Sequence, residues 1–133
     1  MALTVTPIYA AALALLMAAL STYTGFMRGK TAIALGDGGD KGLALAIRRF
    51  GNLSEYAAMA VLLLLLMELR GVDAYYLHAY GTALLVFRLI HPVILFDTME
   101  APQWKKAGRF VSAAGTAMLL VIGAIALLLG NTV

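Results

Sequence analysis

The chain has 133 residues, of which 62% are hydrophobic and 13% are charged, and its mean hydropathy is +0.90. This composition excludes an ordinary water-soluble domain, in which about a quarter of the residues are charged. The absence of cysteine excludes disulfides, thiolate metal sites and a cysteine nucleophile. The net charge of +3 is too small to indicate nucleic-acid binding, so the charges are interpreted by their position relative to a membrane.

Four apolar stretches follow one another along the chain, and each reaches the roughly 20 residues that a bilayer requires. The first lacks the basic start of a signal peptide, so we expect it to be retained as a helix. Four spans with short connections use nearly all of the residues. We therefore predict an all-α integral membrane protein, a single domain forming an up-down-up-down four-helix bundle. The predicted spans are about 3–27, 43–69, 74–96 and 107–129.

Lysines and arginines are concentrated on two of the three connections between the spans. Five flank the first connection and three flank the third, whereas only Arg70 flanks the second. Because Lys and Arg are enriched in cytoplasmic connections, the first and third connections are predicted to face the cytoplasm. Both chain termini are then predicted to lie outside.

The second span carries polar side chains where hydrocarbon is expected. Spacings of 4, 3 and 1 place Arg48, Asn52, Glu55 and Tyr56 on one side of a helix. Arg48 can hydrogen-bond Asn52, whereas Arg48 and Glu55 are two turns apart. A carboxylate inside a membrane is costly and usually marks a site. A structural alternative is that the arginines reach lipid phosphates while Asn52 and Glu55 bond to neighbouring helices.

Other polar residues are predicted to reach the same leaflet. Arg88 lies about 22 Å along the third span, and His91 follows one turn later, before Pro92 removes a backbone donor. Arg28 ends the first span and Arg109 begins the fourth. An excess of cations around one acid suits a ligand with more carboxylates than amines. Glutathione fits this description, with two carboxylates, one ammonium and a thiol.

The remaining polar residues have simpler interpretations. His78 and His91 are thirteen residues apart, with no carboxylate at ligand spacing, so no metal site is expected. The stretch 37–40 is too short for a calcium loop and is predicted to be a turn. Glu68 and Arg70 are predicted to be solvated charges at a helix end.

The segment 48–56, with its Arg, its Asn four residues later and then Glu-Tyr, resembles the membrane-associated eicosanoid and glutathione metabolism (MAPEG) family, which includes microsomal glutathione transferases. The resemblance covers essentially the whole chain, and the loop 36–40 is similar to that of the bacterial branch. It implies a homotrimer in a bacterial inner membrane, with glutathione bound between adjacent subunits near the cytoplasmic leaflet.

The resemblance also implies roles for individual residues. In the implied site, Glu55 would receive the glutamyl ammonium and the arginines would meet the carboxylates. A cation early in the fourth span would stabilise the thiolate, and Arg109 is the catalytic candidate, with Lys106 as the alternative. The implied glutathione-binding set is Arg28, Arg48, Asn52, Glu55, Tyr56, Arg88 and His91.

The sequence departs from the family pattern at positions that the resemblance places near the sulfur of bound glutathione. Phe50 replaces a residue that is often polar, Ala44-Leu45 replaces an acidic-basic pair, and His91 and Leu95 replace tyrosines. The leading prediction is a glutathione transferase with a detoxification role, conjugating hydrophobic electrophiles from the bilayer or reducing lipid hydroperoxides. The alternatives are a non-catalytic lipid-binding scaffold of the same family and a small proton-coupled exporter that uses Glu55.

Overall fold

The computed structural model describes residues 2–96 and 100–129, and the regular structure within these ranges is entirely helical. Each helix is long and apolar enough to cross a membrane, which confirms the prediction of an all-α protein with four such helices. The helices are α1 (Thr6–Thr31), α2 (Lys41–Leu69), α3 (Ala74–Ile94) and α4 (Gln103–Leu129).

The end of α1 lies beyond the span predicted from hydropathy, at residue 31 rather than about 27. Ala32 ends the helix in the left-handed conformation, with φ of 56°. Just before it, the Arg28 guanidinium donates to the carbonyl groups of Ile33, Ala34 and Gly36 at 3.3, 3.0 and 3.0 Å. These carbonyls belong to the connection that follows the helix, so Arg28 holds that connection against the last turn of α1.

The starts of the next three helices are fixed by local hydrogen bonds. Asp40 caps α2 by accepting from the Leu43 backbone N–H at 2.7 Å, and Asp73 caps α3 in the same way. The carbonyl of Pro102 accepts from the backbone N–H groups of Lys105 and Lys106. Because of this turn, α4 begins at residue 103, four residues before the predicted span.

The bundle is built around α2 and α3, each of which packs against the other three helices. Within the described ranges, α1 and α4 do not contact each other. The core therefore lies along α2 and α3, where Ala60, Leu64, Tyr80 and Leu84 are buried. Each of these two helices also keeps one face that no helix of the same chain covers.

At one end of the bundle, α1 and α3 are in close contact. A Cβ atom at Gly81 would lie 2.3 Å from the Tyr9 ring, so only glycine allows this approach. The Tyr9 hydroxyl donates to the His78 carbonyl at 3.1 Å and also shares a hydrogen bond with Thr82 Oγ1 at 2.9 Å. Small residues and polar side chains at helix contacts are typical of membrane bundles.

The carboxylate of Glu68 joins the end of α2 to the beginning of α1. It accepts hydrogen bonds from the backbone N–H groups of Thr4, Val5 and Thr6 at 2.6, 2.8 and 2.6 Å. The prediction of a solvated charge is therefore wrong for Glu68, which is only 6% exposed. The first N–H groups of a helix have no helical acceptor and carry partial positive charge, which makes them strong partners for a carboxylate.

Arg70, the other charge predicted at this helix end, is exposed and also bonds to another helix. Its guanidinium donates to the carbonyl of Leu127, so the end of α2 is attached to the end of α4. Arg70 and Glu68 together fix this end of the bundle. The Glu68 carboxylate and the Arg70 guanidinium at this end are thus both hydrogen-bonded within the protomer.

Candidate functional site

At the opposite end of α2, an ion pair lies on the uncovered face of the helix. Arg48 Nη1 is 3.1 Å from Glu55 Oε1, and the two side chains are 58% and 52% exposed. The pair joins residues seven apart, which two helical turns bring to the same face. Arg48 thus pairs with Glu55 across those two turns, and the expected bond to Asn52 is not formed because Asn52 faces the bundle interior.

Inside the bundle, Arg88 links α2, α3 and α4. Its Nη1 donates to Asn52 Oδ1 at 2.8 Å and its Nη2 donates to the backbone carbonyl of Ser112 at 3.0 Å. Arg88 is 2% exposed, and its guanidinium carbon lies 5.6 Å from the centre of the Tyr56 ring. A buried guanidinium needs such acceptors to offset its desolvation, so Asn52 and Ser112 hold it in one orientation.

His91 is one turn further along α3 and lies among arginines from three helices. The ring is 4% exposed, and the positive charges of Arg88, Arg109 and Arg48 all act on it. Arg109, in the second turn of α4, stacks its guanidinium 5.0 Å from the centre of the Phe96 ring. The structure therefore brings together the predicted site residues of α2, α3 and α4.

Arg28 and Lys106 stand apart from this cluster in their observed contacts. The Arg28 Nη1 atom bonds to the connection after α1, and its predicted contact with a glutathione carboxylate stays a prediction. Lys106 is half-buried near the start of α4. Neither residue forms a hydrogen bond or ion pair with Arg48, Glu55 or Arg88 among the described residues.

Two polar residues of α4 were not predicted to belong to this region. The backbone carbonyl of Ser112 accepts from Arg88 Nη2, and it also accepts from Thr116 Oγ1 at 2.9 Å. Both residues are fully buried. Their spacing could have predicted this, since polar residues four apart on an apolar helix share a face and usually contact a neighbouring helix.

Comparison with known proteins identifies the family. The MAPEG family model matches residues 6–128. The chain belongs to the MAPEG family. Inner membrane protein YecN of Escherichia coli (strain K12) is 35% identical over 118 residues, which cover 89% of this chain and 87% of that protein. YecN of Escherichia coli O6:H1 (strain CFT073) matches to the same extent. No solved structure matches significantly.

Membership in the MAPEG family confirms the resemblance, and with the four apolar helices it makes the protein an integral membrane protein of that family. The positions at which this MAPEG chain departs from the pattern are largely enclosed. Leu95 and His91 are buried, and Phe50 is half-buried. Within residues 2–96 and 100–129, no three His, Asp or Glu side chains are grouped to hold a metal ion.

Proposed function

We propose that the protein binds glutathione near the cytoplasmic leaflet, stabilises its thiolate and transfers it to hydrophobic electrophiles or uses it to reduce lipid hydroperoxides. The observation that carries this proposal is the half-exposed Arg48–Glu55 pair on the uncovered face of a membrane helix. Charged side chains facing hydrocarbon are costly. A polar ligand and a second subunit on this face would remove that cost.

The same reasoning supports a homotrimer in which the uncovered face of α2 meets a neighbouring subunit. In this arrangement the helices cross the membrane up-down-up-down, with both termini outside and the first and third connections in the cytoplasm. The concentration of Lys and Arg on those connections supports this orientation. The name of the YecN relatives supports a bacterial inner membrane as the location.

The charges of the site complement those of glutathione. The Glu55 carboxylate would accept from the glutamyl ammonium, while Arg48 and Arg88 would meet the two carboxylates. Asn52 already accepts from Arg88, so it would hold that guanidinium for the ligand. Tyr56 and His91 would line the rest of the glutathione site, and Arg28 would contribute a further cation from the end of α1. Charge-assisted hydrogen bonds of this kind are the strong ones in proteins.

Activation of sulfur is assigned to Arg109, with Lys106 as the alternative. A free thiol has a pKa of about 8.5, and a fixed cation beside it lowers that pKa and raises the thiolate fraction. With an aryl halide, the sulfur would attack the ring carbon, a C–S bond would form, the halide would leave and the thiol proton would pass to water. With a hydroperoxide, two glutathiones would be oxidised to the disulfide while the hydroperoxide is reduced to an alcohol and water.

Turnover of the purified protein with glutathione and an aryl halide tests this proposal. Arg109→Gln is expected to lower kcat about a hundredfold, as the loss of one transition-state donor does, with little change in the Kd for glutathione. Lys105→Gln is the matched control, since Lys105 stacks on Trp104 at the same end of α4. Glutathione binding without turnover of aryl halides or hydroperoxides would contradict the enzymatic part.

A non-catalytic scaffold of the same family is the second candidate, and it is favoured by one observation. Leu95 and His91 replace tyrosines and are buried, so the part of the proposed site near the sulfur lacks those phenol hydroxyls. The ultraviolet absorbance of bound thiolate separates the two candidates, because a scaffold has no reason to ionise the sulfur. The exporter hypothesis is weakened by the Arg48–Glu55 pair, because the carboxylate that would have to carry the proton is already bonded to a cation on its own helix.

A further inference from the structure

Arg49 is a second cation within α2 that the glutathione site does not use. It follows Arg48, so its side chain leaves the helix about 100° away from the Arg48–Glu55 pair. The residue is half-buried, and its Nε atom is buried without a hydrogen-bond partner in the described part of the chain. The Arg49 guanidinium thus has no hydrogen-bond or ion-pair partner among the described residues, and an acceptor from outside the chain would stabilise it at its terminal Nη groups, since Nε itself is enclosed.

Arg49 forms the floor of an open groove with a volume of about 550 Å³. The walls are apolar: α1 supplies Leu16, Leu20 and Tyr23, and α3 supplies Leu89 and Val93. The groove lies between the same two helices that touch at Tyr9 and Gly81, but further toward the end of the bundle that carries the polar site. There α1 and α3 separate enough to leave α2 accessible between them.

The position of Arg49 along α2 places it within reach of the lipid headgroups. Residue 49 is eight residues from the start of α2, about 12 Å along the axis. The 29 residues of α2 span about 43 Å, more than the roughly 30 Å of hydrocarbon, so part of the first turns lies outside it. A long arginine side chain can therefore extend its guanidinium to the level of lipid phosphates.

We propose that this groove binds an anionic phospholipid of the surrounding bilayer. Its phosphodiester would accept hydrogen bonds from Arg49, and an acyl chain would lie between Leu16 and Leu20 on one side and Leu89 on the other. One guanidinium balances the net charge of a lipid such as phosphatidylglycerol, whereas the phosphodiester of phosphatidylcholine is already balanced by its own choline cation. The apolar walls suit an acyl chain, because Leu89 and Val93 are large exposed hydrophobic residues. The site is separate from the proposed glutathione site.

Spin-labelled lipids test the proposal on the full-length protein in phosphatidylcholine vesicles. Traces of labelled phosphatidylglycerol, phosphatidylcholine or stearic acid are added, and the immobilised fraction of each is measured. The unmodified protein is expected to prefer phosphatidylglycerol. Arg49→Gln is expected to lower the association constant for that lipid about tenfold and to leave phosphatidylcholine unchanged. Arg70→Gln, which removes an exposed arginine at the other end of the bundle, is expected to keep the preference.

A second variant separates lipid binding from folding. Val93→Trp fills the exposed groove but keeps Arg49, and it is expected to lower the phosphatidylglycerol preference as Arg49→Gln does. Both variants should bind glutathione like the unmodified protein, so failure here is distinguishable from failure of the glutathione proposal. Equal immobilisation of the two phospholipids, an undiminished preference in Arg49→Gln, or selection of stearic acid alone would overturn the inference.

Discussion

The two carboxylates of α2 have opposite surroundings, although they lie on the same helix. Glu68 is buried and accepts from three backbone N–H groups at the start of α1. Glu55 is half-exposed, and its observed partner is the equally exposed Arg48. The comparison indicates that an acid satisfied by its own chain stabilises the fold. We infer that Glu55, whose surroundings are incomplete within one protomer, belongs to the proposed binding face.

The largest expected effect on stability follows from replacing Glu68. Glu68→Ala leaves three backbone donors without their acceptor, so it is expected to lower the free energy of unfolding by about 3 kcal/mol. Denaturation in mild detergent, followed by circular dichroism, measures this loss. Glu68→Gln keeps an acceptor oxygen and should lose about half as much. Unchanged stability of Glu68→Ala would contradict the claim that the buried carboxylate stabilises the fold.

A smaller loss is expected at the buried end of the polar cluster. Asn52→Ala removes the acceptor of the Arg88 Nη1 group and is expected to cost about 2 kcal/mol of unfolding free energy, because a buried charged donor is left unpaired. Ser54→Ala is the control, since the hydrogen bond that the Ser54 hydroxyl makes within the described residues goes to the carbonyl of Gly51 on its own helix. Equal stability of the two variants in the same denaturation assay would show that Arg88 finds another acceptor.

The smallest effect on stability is expected at the exposed ion pair. Arg48→Gln should change the free energy of unfolding by less than about 1 kcal/mol, because half-exposed pairs contribute little. The same variant is expected to weaken glutathione binding, measured by equilibrium titration. A loss of stability as large as that of Glu68→Ala would mean that the pair belongs to the fold rather than to a binding face.

The sequence predicted the features that depend on local pattern. Hydropathy predicted four spanning helices, and helical spacing placed Arg48 and Glu55 on one face. Both are properties of neighbouring residues. The Asn52–Arg88 bond joins residues 36 apart, and the Glu68 carboxylate reaches residues at least 62 positions away. Such partners depend on how the helices pack, which no local pattern specifies.

Two helices extend beyond the spans predicted from hydropathy for a related reason. Hydropathy marks where hydrocarbon begins, whereas a helix ends where its last hydrogen bonds are satisfied. Beyond the apolar part of α1, Arg28 bonds to the connection that follows the helix, and before the apolar part of α4 the carbonyl of Pro102 accepts from the first backbone N–H groups. Arg28 was therefore recognised as a membrane-orienting charge but not as a contact to the connection that follows α1.

The most direct test is a calorimetric titration of glutathione into the purified protein and into two variants of α2. The unmodified protein is expected to bind, and Glu55→Gln is expected to weaken binding about tenfold or more, because a charge-assisted bond to the glutamyl ammonium is lost. Glu68→Gln is expected to bind as tightly as the unmodified protein. Absence of binding to the unmodified protein, or equal affinities for it and Glu55→Gln, would contradict the glutathione site.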